Sequence, residues 1–479
     1  MATITSPGIG SGLDVQSIVS QLVALERAPV NLLKTQATST QAKLSLYGTI
    51  QSQVSKLQDA AAKLGSADGW NAVNTTSSNA AAVSVTASAG AATNGLSIEV
   101  QNLAKAQSTA SATVAVDAPI GSGSMSIELG QWSGGTFAPG SGSAVSITIN
   151  PGEDTLSAIA AKINGADAGV SATVLRDASG ERLLLRSKDT GEVNGFRIQV
   201  TDDDGVHDDG TGLSSLSYDP VASPPPGGFN GMTRTQAGEN ARATINNVAV
   251  VSASNKLNDS LPNLKITLSQ VTTAPVEIQV NNDTAAAKKN VQSFVDAYNA
   301  LNQTISNATA YNADSKVGGP LQGDSTTVGL QNALRGMMRS VTASSPFQSL
   351  SDVGIEMKTG GALEIKAEKL DTALGNLAGI KALFTTNTGE ATTQGFGLKI
   401  KDFTTALLAT GGLINNKNDS LKSAIKRNGL EQEKVNDRAD RAQVRLLRQY
   451  NAMDANVARL NSINAFVAQQ ITLWNKSTA

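Results

Sequence analysis

The sequence predicts an α+β multidomain protein: a helical coiled-coil and bundle leg formed by both termini, with two nested, mainly β head domains inserted into it. Three observations carry that expectation. Apolar residues recur every three to four positions towards both ends of the 479-residue chain, the period changes to two over roughly residues 80–280, and the helical stripes on either side of the change share one rhythm. Helix, then β, then helix along one chain makes the β modules insertions in a helical stalk. The chain ends are then expected at one pole and the β modules at the other.

At the N-terminus, Gly8-Ile9-Gly10-Ser11-Gly12 reads as a flexible lead into Leu13-Asp14-Val15, where Asp14 is placed to cap a helix carrying Ile18, Val19, Leu22 and Leu25. Pro29 is expected to interrupt that helix. A second stripe follows at Tyr47, Ile50, Val54, Leu57, Ala61 and Leu64, and a third, far away, at Val291, Phe294, Tyr298, Leu301, Ile305 and Ala308. Stripes of one rhythm are most simply partners in a bundle. The last forty residues place Ala439, Leu446, Met453, Leu460, Val467 and Trp474 seven apart, with Tyr450, Val457 and Ile471 in a second row whose polar member is Asn464. Such a narrow stripe on a helix of about 50 Å cannot bury itself, so it needs a partner. Both ends are therefore expected to be only partly ordered in an isolated subunit.

The β region alternates apolar and polar residues at Val83 and Val85, at Leu96, Ile98 and Val100, and at Val145, Ile147 and Ile149. The same alternation returns at Val170, Ala172 and Val174, at Leu264, Ile266 and Leu268, and at Val276, Ile278 and Val280. One helix interrupts it, capped by Asp154 or Thr155, carrying Leu156, Ile159 and Ile163, and ended by Gly165. Asp177-Ala178-Ser179-Gly180 reads as a hairpin turn, and Pro224-Pro225-Pro226-Gly227-Gly228 as a loop at a module edge. Because Ala243, Ile245, Val248 and Val250 restart a strand pattern after that loop, the β region is expected to hold two modules. The resulting division is a terminal leg (1–40 and 406–479), a helical bundle (41–74 and 283–405), an inner β head (75–112 and 237–282) and an outer β head (113–236).

Composition narrows the function. Hydrophobic residues are 40% of the chain but aromatics only 4%, so the cores are built from small aliphatics. A net charge of −2 gives no global field for nucleic acid or an acidic membrane, and neither is expected as a partner. With no cysteine there is no disulfide or thiolate metal site, and no stretch approaches the ~18 apolar residues of a membrane helix. The opening residues, Met1 to Pro7, lack the basic and apolar regions of a cleaved secretory signal, so export would use a dedicated route. His207 is the only histidine, which removes a serine triad or two-histidine metal site; no enzyme activity, cofactor or metal is expected. The run from Asp202 to Gly210 departs from a calcium loop at Val206 and lacks the closing glutamate, and it reads as an acidic hairpin loop. Residues 318–325 have phosphate-loop glycines but Asp324 where a lysine belongs, so Asp324 is read as a helix cap. Between Lys417 and Arg448 basic residues exceed acidic ones, read as a solvated helix face with alternating charge.

Two terminal motifs resemble a known family. Gly8-Ile9-Gly10-Ser11-Gly12-Leu13-Asp14-Val15, followed by Ile18-Val19, Leu22, Glu26 and Pro29, is similar to the N-terminal signature of bacterial flagellar filament cap proteins, the hook-associated proteins of the distal tip. Tyr450-Asn451-Ala452-Met453-Asp454, Leu460-Asn461-Ser462 and Gln469-Gln470 resemble the closing motif of that family. Residues 95–104 and 155–164 resemble its β head, whereas residues 121–142 and 201–230 resemble nothing recognisable. The resemblance implies secretion through the flagellar type III apparatus and a structural role at the filament tip, promoting insertion and polymerisation of flagellin. Implied partners are further copies of the chain in a ring, with five the expected number and four to six allowed, flagellin, the hook–filament junction protein, an export chaperone on the C-terminal helix, and host surface glycans or mucin. The residues expected at the oligomer and filament contacts are Ile9, Leu13, Asp14, Ile18, Leu22, Leu25, Leu446, Tyr450, Met453, Val457, Leu460, Val467 and Ile471. Two alternatives remain: another axial flagellar protein of the hook–filament junction, or a secreted adhesin acting through the β head.

Overall fold

A computed structural model describes residues 12, 14–207, 209–220, 231–314, 316–344, 346–390 and 392–477. Ile9, Leu13 and the Pro224–Gly228 run lie outside these residues. The chain divides into two compact units, residues 1–70 with 284–479, and residues 71–283.

The first element, α1, is a single helix over Val15–Leu64. Asp14 caps it, accepting a hydrogen bond from the Ser17 N–H at 2.9 Å. The expected break at Pro29 is absent. Proline removes one backbone bond, the one to the Leu25 carbonyl; both residues are exposed, so the unpaired carbonyl falls on the solvent side. Val23 and Val30 on either side of it are both buried, which holds the two halves in one line.

Residues 71–283 form the β unit. Its first strands are β1 (Val73–Ser77), β2 (Val83–Ala87), β3 (Gly95–Asn102) and β4 (Ser108–Ala110). Then come β5 (Gly123–Ser133), β6 (Thr136–Pro139), β7 (Val145–Ile149), the helix α2 (Leu156–Gly165), β8 (Val170–Asp177), β9 (Gly180–Ser187) and β10 (Gly195–Asp202). The last strands are β11 (Thr233–Gln236), β12 (Ala241–Ile245), β13 (Val248–Ser252), β14 (Lys256–Leu261), β15 (Leu264–Leu268) and β16 (Val276–Asn282). One antiparallel sheet runs β1-β16-β3-β12-β13 and a second β14-β15-β2. Their inward residues, among them Val83, Ile98, Val100, Ile266 and Ile278, make one buried cluster. A separate cluster lies among β5 with β6, β7 and β10, the sheet β11-β4-β9-β8, and α2. Thr155, not Asp154, caps α2 through the Ala158 N–H.

Ser108–Ala110, expected with the inner strands, pairs instead with β9 and β11. Three residues, Ser-Thr-Ala, are too short to show a period, so the alternation could not assign them. The β8–β9 turn is where expected. Gly180 has φ 131°, and a Cβ there would fall 2.2 Å from the Val114 carbonyl oxygen, so only glycine fits.

The remaining helices are α3 (Thr284–Thr309), α4 (Ser325–Met338), α5 (Ala367–Leu374), α6 (Leu377–Thr385), α7 (Phe396–Leu408) and α8 (Leu413–Ser477). The expected second and third stripes, on α1 and α3, are fully buried and belong to one core with α4–α7. Trp70 closes that core; its indole N–H donates to the Leu64 carbonyl at 2.7 Å and its ring lies 5.4 Å from that of Phe384.

Asp324 ties three helices of this unit together. Its carboxylate accepts from the Thr327 N–H at 3.0 Å as the cap of α4, from the Tyr47 hydroxyl of α1 at 2.6 Å, and pairs with Lys417 of α8 at 2.7 Å. Burial raises the pKa, but Lys417, Tyr47 and the Thr327 N–H outweigh it and hold the carboxyl at about 2. Burial and the bond to Asp324 push the Tyr47 phenol up. A folded pKa below the unfolded value of about 3.9 adds stability that is complete above pH ~4 and lost as pH falls towards 2. We predict that Asp324→Asn lowers unfolding free energy at pH 7 by on the order of 2 kcal/mol, and that the difference from wild type shrinks between pH 4 and pH 2. Urea unfolding followed by circular dichroism at several pH values checks this; a difference that does not change with pH would contradict it.

Candidate assembly interface

Helix α8 has 65 residues, about 95 Å, and only part of it has a partner in its own chain. Cross-helix bonds fix how α1 and α8 run. Gln51 contacts Asn415 and Asn418, the Asn428 amide donates to the Leu33 carbonyl at 3.0 Å, Arg438 pairs with Glu26 at 3.1 Å, and Arg27 pairs with Asp440 at 2.5 Å. As one number falls the other rises, so the helices are antiparallel. The same register sets the start of α1 beside Tyr450. Val15, Val19 and Val23 are buried there with Ala439, and Leu446, Leu447 and Tyr450 pack against them half-buried.

The expected stripe of Ile18, Val19, Leu22 and Leu25 is divided between two faces of α1. Ile18 and Leu22 are only half-buried and Leu25 is 71% exposed, while the valines Val15, Val19, Val23 and Val30 face inward. Two rows of helical spacing run along this segment, and the period alone does not separate them. The tighter seam takes the valines because α8 presents Ala439 and Ala442, whose small side chains let the helices approach closely. Ile18, Leu22, Leu25 and Leu32 therefore form a second apolar stripe, with 63% of Leu32 exposed.

Beyond Tyr450, α8 continues for 27 residues past the start of α1. Met453, Leu460, Val467 and Ile471 are exposed there, Val457 is half-buried, and Ile463, Phe466 and Leu473 add exposed apolar surface that the seven-residue count did not pick out. Their spacing of three and seven was the available signal. Taking these side chains out of water contributes roughly 10 kcal/mol, enough to offset much of the ~4–15 kcal/mol that association costs. These exposed apolar side chains recur along one helix rather than standing singly on the surface.

The other candidate sites are occupied by local bonds. Asp202 accepts from the Ser214 N–H at 3.0 Å, its own N–H donates to His207 Nδ1, and Asp209 accepts from the Thr211 N–H. Thr211, through its backbone N–H first, holds the Asp209 carboxyl below its usual range. Among the described residues no group of three or more His, Asp or Glu side chains is placed to hold a metal ion. Among them, too, no helix is long and apolar enough to cross a membrane.

Comparison with known proteins follows the same division. Residues 11–107 match the family described as flagellar hook-associated protein 2 N-terminus and residues 238–462 its C-terminus. Flagellar hook-associated protein 2 of Escherichia coli K12 is 34% identical over 480 residues, covering 98% of both chains. The chain belongs to the flagellar hook-associated protein 2 family. Within that family it is also 30% identical to the B-type flagellar hook-associated protein 2 of Pseudomonas aeruginosa PAO1, over 94% of each chain. The crystal structure of the D1-D2-D3 domains of the Escherichia coli flagellar cap protein FliD is similar with a TM-score of 0.62 at 33% identity, covering 79% of this chain and 99% of that one. Residues 134–189, from β6 to β9, match the flagellin hook IN motif. The C-terminal family match ends at residue 462, inside the exposed part of α8.

Val19 and Leu25 separate the two stripes of α1. Val19→Asp puts an unpaired carboxylate at a site 2% exposed and should cost several kcal/mol locally, speeding amide exchange over residues 15–30. Leu25→Asp should leave that exchange unchanged. Hydrogen exchange of both variants decides it, and equal protection in the two would contradict the assigned seam.

Proposed function

We propose that this chain is a structural capping protein at the tip of the bacterial flagellar filament, where several copies form a ring that promotes insertion and polymerisation of exported flagellin. The observation that carries the reading is the exposed apolar length of α8 beyond Tyr450, on a chain of this family. A surface of that kind suits repeated helix-to-helix packing, first between copies of the chain and then against the axial proteins beneath them, flagellin and the hook–filament junction protein. Before export the same helix would need cover, which supports binding of a chaperone there. The role is one of packing and exclusion, with no chemical step assigned to any side chain.

Four buried clusters support a division into four domains. One joins the start of α1 to α8, one lies within the helical bundle, and one lies in each half of the β unit. The boundary between the β halves falls before Ser108 rather than after it, because β4 belongs to the outer sheet. Secretion without a cleaved peptide and placement at the distal tip belong to the same reading.

In a strain lacking the gene, filaments should be short or missing and unpolymerised flagellin should accumulate in the medium. Complementation with Leu460→Asp should leave the chain folded but not restore filament growth, since Leu460 is 60% exposed on its own chain and its replacement affects only what packs on it. Flagellin in culture supernatants, with the exported variant assayed alongside, is the measurement. Full-length filaments with the variant exported normally would overturn the reading of α8.

A further inference from the structure

Two short rows of charge on α8 repeat one spacing. Glu433, Asp437 and Asp440 stand four and three residues apart, and Arg441, Arg445 and Arg448 stand four and three apart, each eight residues after its acidic counterpart. All six are exposed. Spacing of four and three keeps each row on one helix face, and eight residues turn the helix about 80° past two full turns, so the rows occupy adjoining faces. The chain leaves most of this charge unmatched. Asp440 is held by Arg27, Lys434 by Glu431 and Arg438 by Glu26. Among the described residues, Glu433, Asp437, Arg441, Arg445 and Arg448 make no ion pair, although Asp437 and Arg441 stand four apart in the order that favours one.

We propose that α8 of one copy packs parallel beside α8 of a second copy, displaced by eight residues or about 12 Å, so that the acidic row of one meets the arginine row of the next. Charge complementarity alone also allows an antiparallel pair, in which Glu433 would face Arg448. The apolar stripe decides between them. It begins directly after the arginines, and only the parallel arrangement runs the stripes of two copies side by side. With the same displacement, Ala455 on the acidic side of one helix meets Ile463 on the arginine side of the next, and Ile463 is exposed in the single chain. The two rows are different faces, so the contact is heterologous and each helix can serve a neighbour on either side, as a ring requires. A displacement between neighbours still closes when the helices lean across the ring axis, as staggered strands do in a barrel.

The inference rests on the self-association in the cap reading and can fail without it. Because the chain has no cysteine, single replacements give clean cross-links. Full-length Glu433→Cys is mixed with full-length Arg441→Cys under mild oxidation, and a second mixture pairs Glu433→Cys with Arg448→Cys. Covalent dimers joined from 433 to 441 in the first mixture, and none from either variant alone, are expected. Arg445→Glu should weaken self-association about tenfold, and adding Asp437→Arg should return it to within about threefold of wild type. A dominant 433-to-448 product would mean antiparallel pairing, and a 433-to-433 product pairing in register; either overturns the proposal. Absence of any covalent dimer overturns it as well, whether sedimentation finds the chains associated or monomeric. In the associated case an oligomer remains, and the cap reading stands without the stagger.

Discussion

The antiparallel pairing of α1 with α8 is the constraint on which the helical unit depends. It joins the beginning of the described chain to its end, so more than two hundred intervening residues must leave and return within one closed framework. Asp324 fixes that pairing at its inner end by holding Tyr47 of α1, Lys417 of α8 and the first turn of α4 in one hydrogen-bonded group. At the outer end the seam narrows to valines against alanines. Between these points the partner bonds are polar and mostly exposed, such as Arg27 to Asp440, and exposed ion pairs contribute little. The pairing is therefore strong where the core is and weaker towards the chain ends.

The β unit satisfies itself in a different way. Its two buried clusters are each sealed by the alternation of their own strands, and Asn246 and Asn247, both at positive φ, make the tight turn between β12 and β13. Nothing in that packing calls on the exposed part of α8. Change in the distal helix and change in the β strands' packing are thus separable.

Periodicity made most of the fold legible. Every apolar position expected for the two inner helical stripes is buried, and the six alternating strand segments are strands. Asp324 was readable as a cap because caps are local, but its bond to Lys417 joins residues far apart in sequence, and no local pattern signals that. Pro29 misled because the cost of a lost hydrogen bond is visible in sequence while the burial of Val23 and Val30 around it is not. On α1 two rows share the helical period, and only the small residues opposite, Ala439 and Ala442, choose Val19 over Leu25. The distal stripe of α8 was legible in outline. Ile463 and Phe466 fell outside the seven-residue count because this surface is broader than a two-helix seam.

The central claim is that residues beyond Tyr450 drive assembly and contribute nothing to the fold of the single chain. Native mass spectrometry of the full chain and of a chain ending at Ala452, with thermal melting of both, tests it most directly. The account predicts a closed oligomer for the full chain, monomer for the shortened one, and the same melting temperature for the shortened chain as for the full chain diluted until it is monomeric. A shortened chain that assembles as well as the full one, or that melts far lower as a monomer, would contradict it.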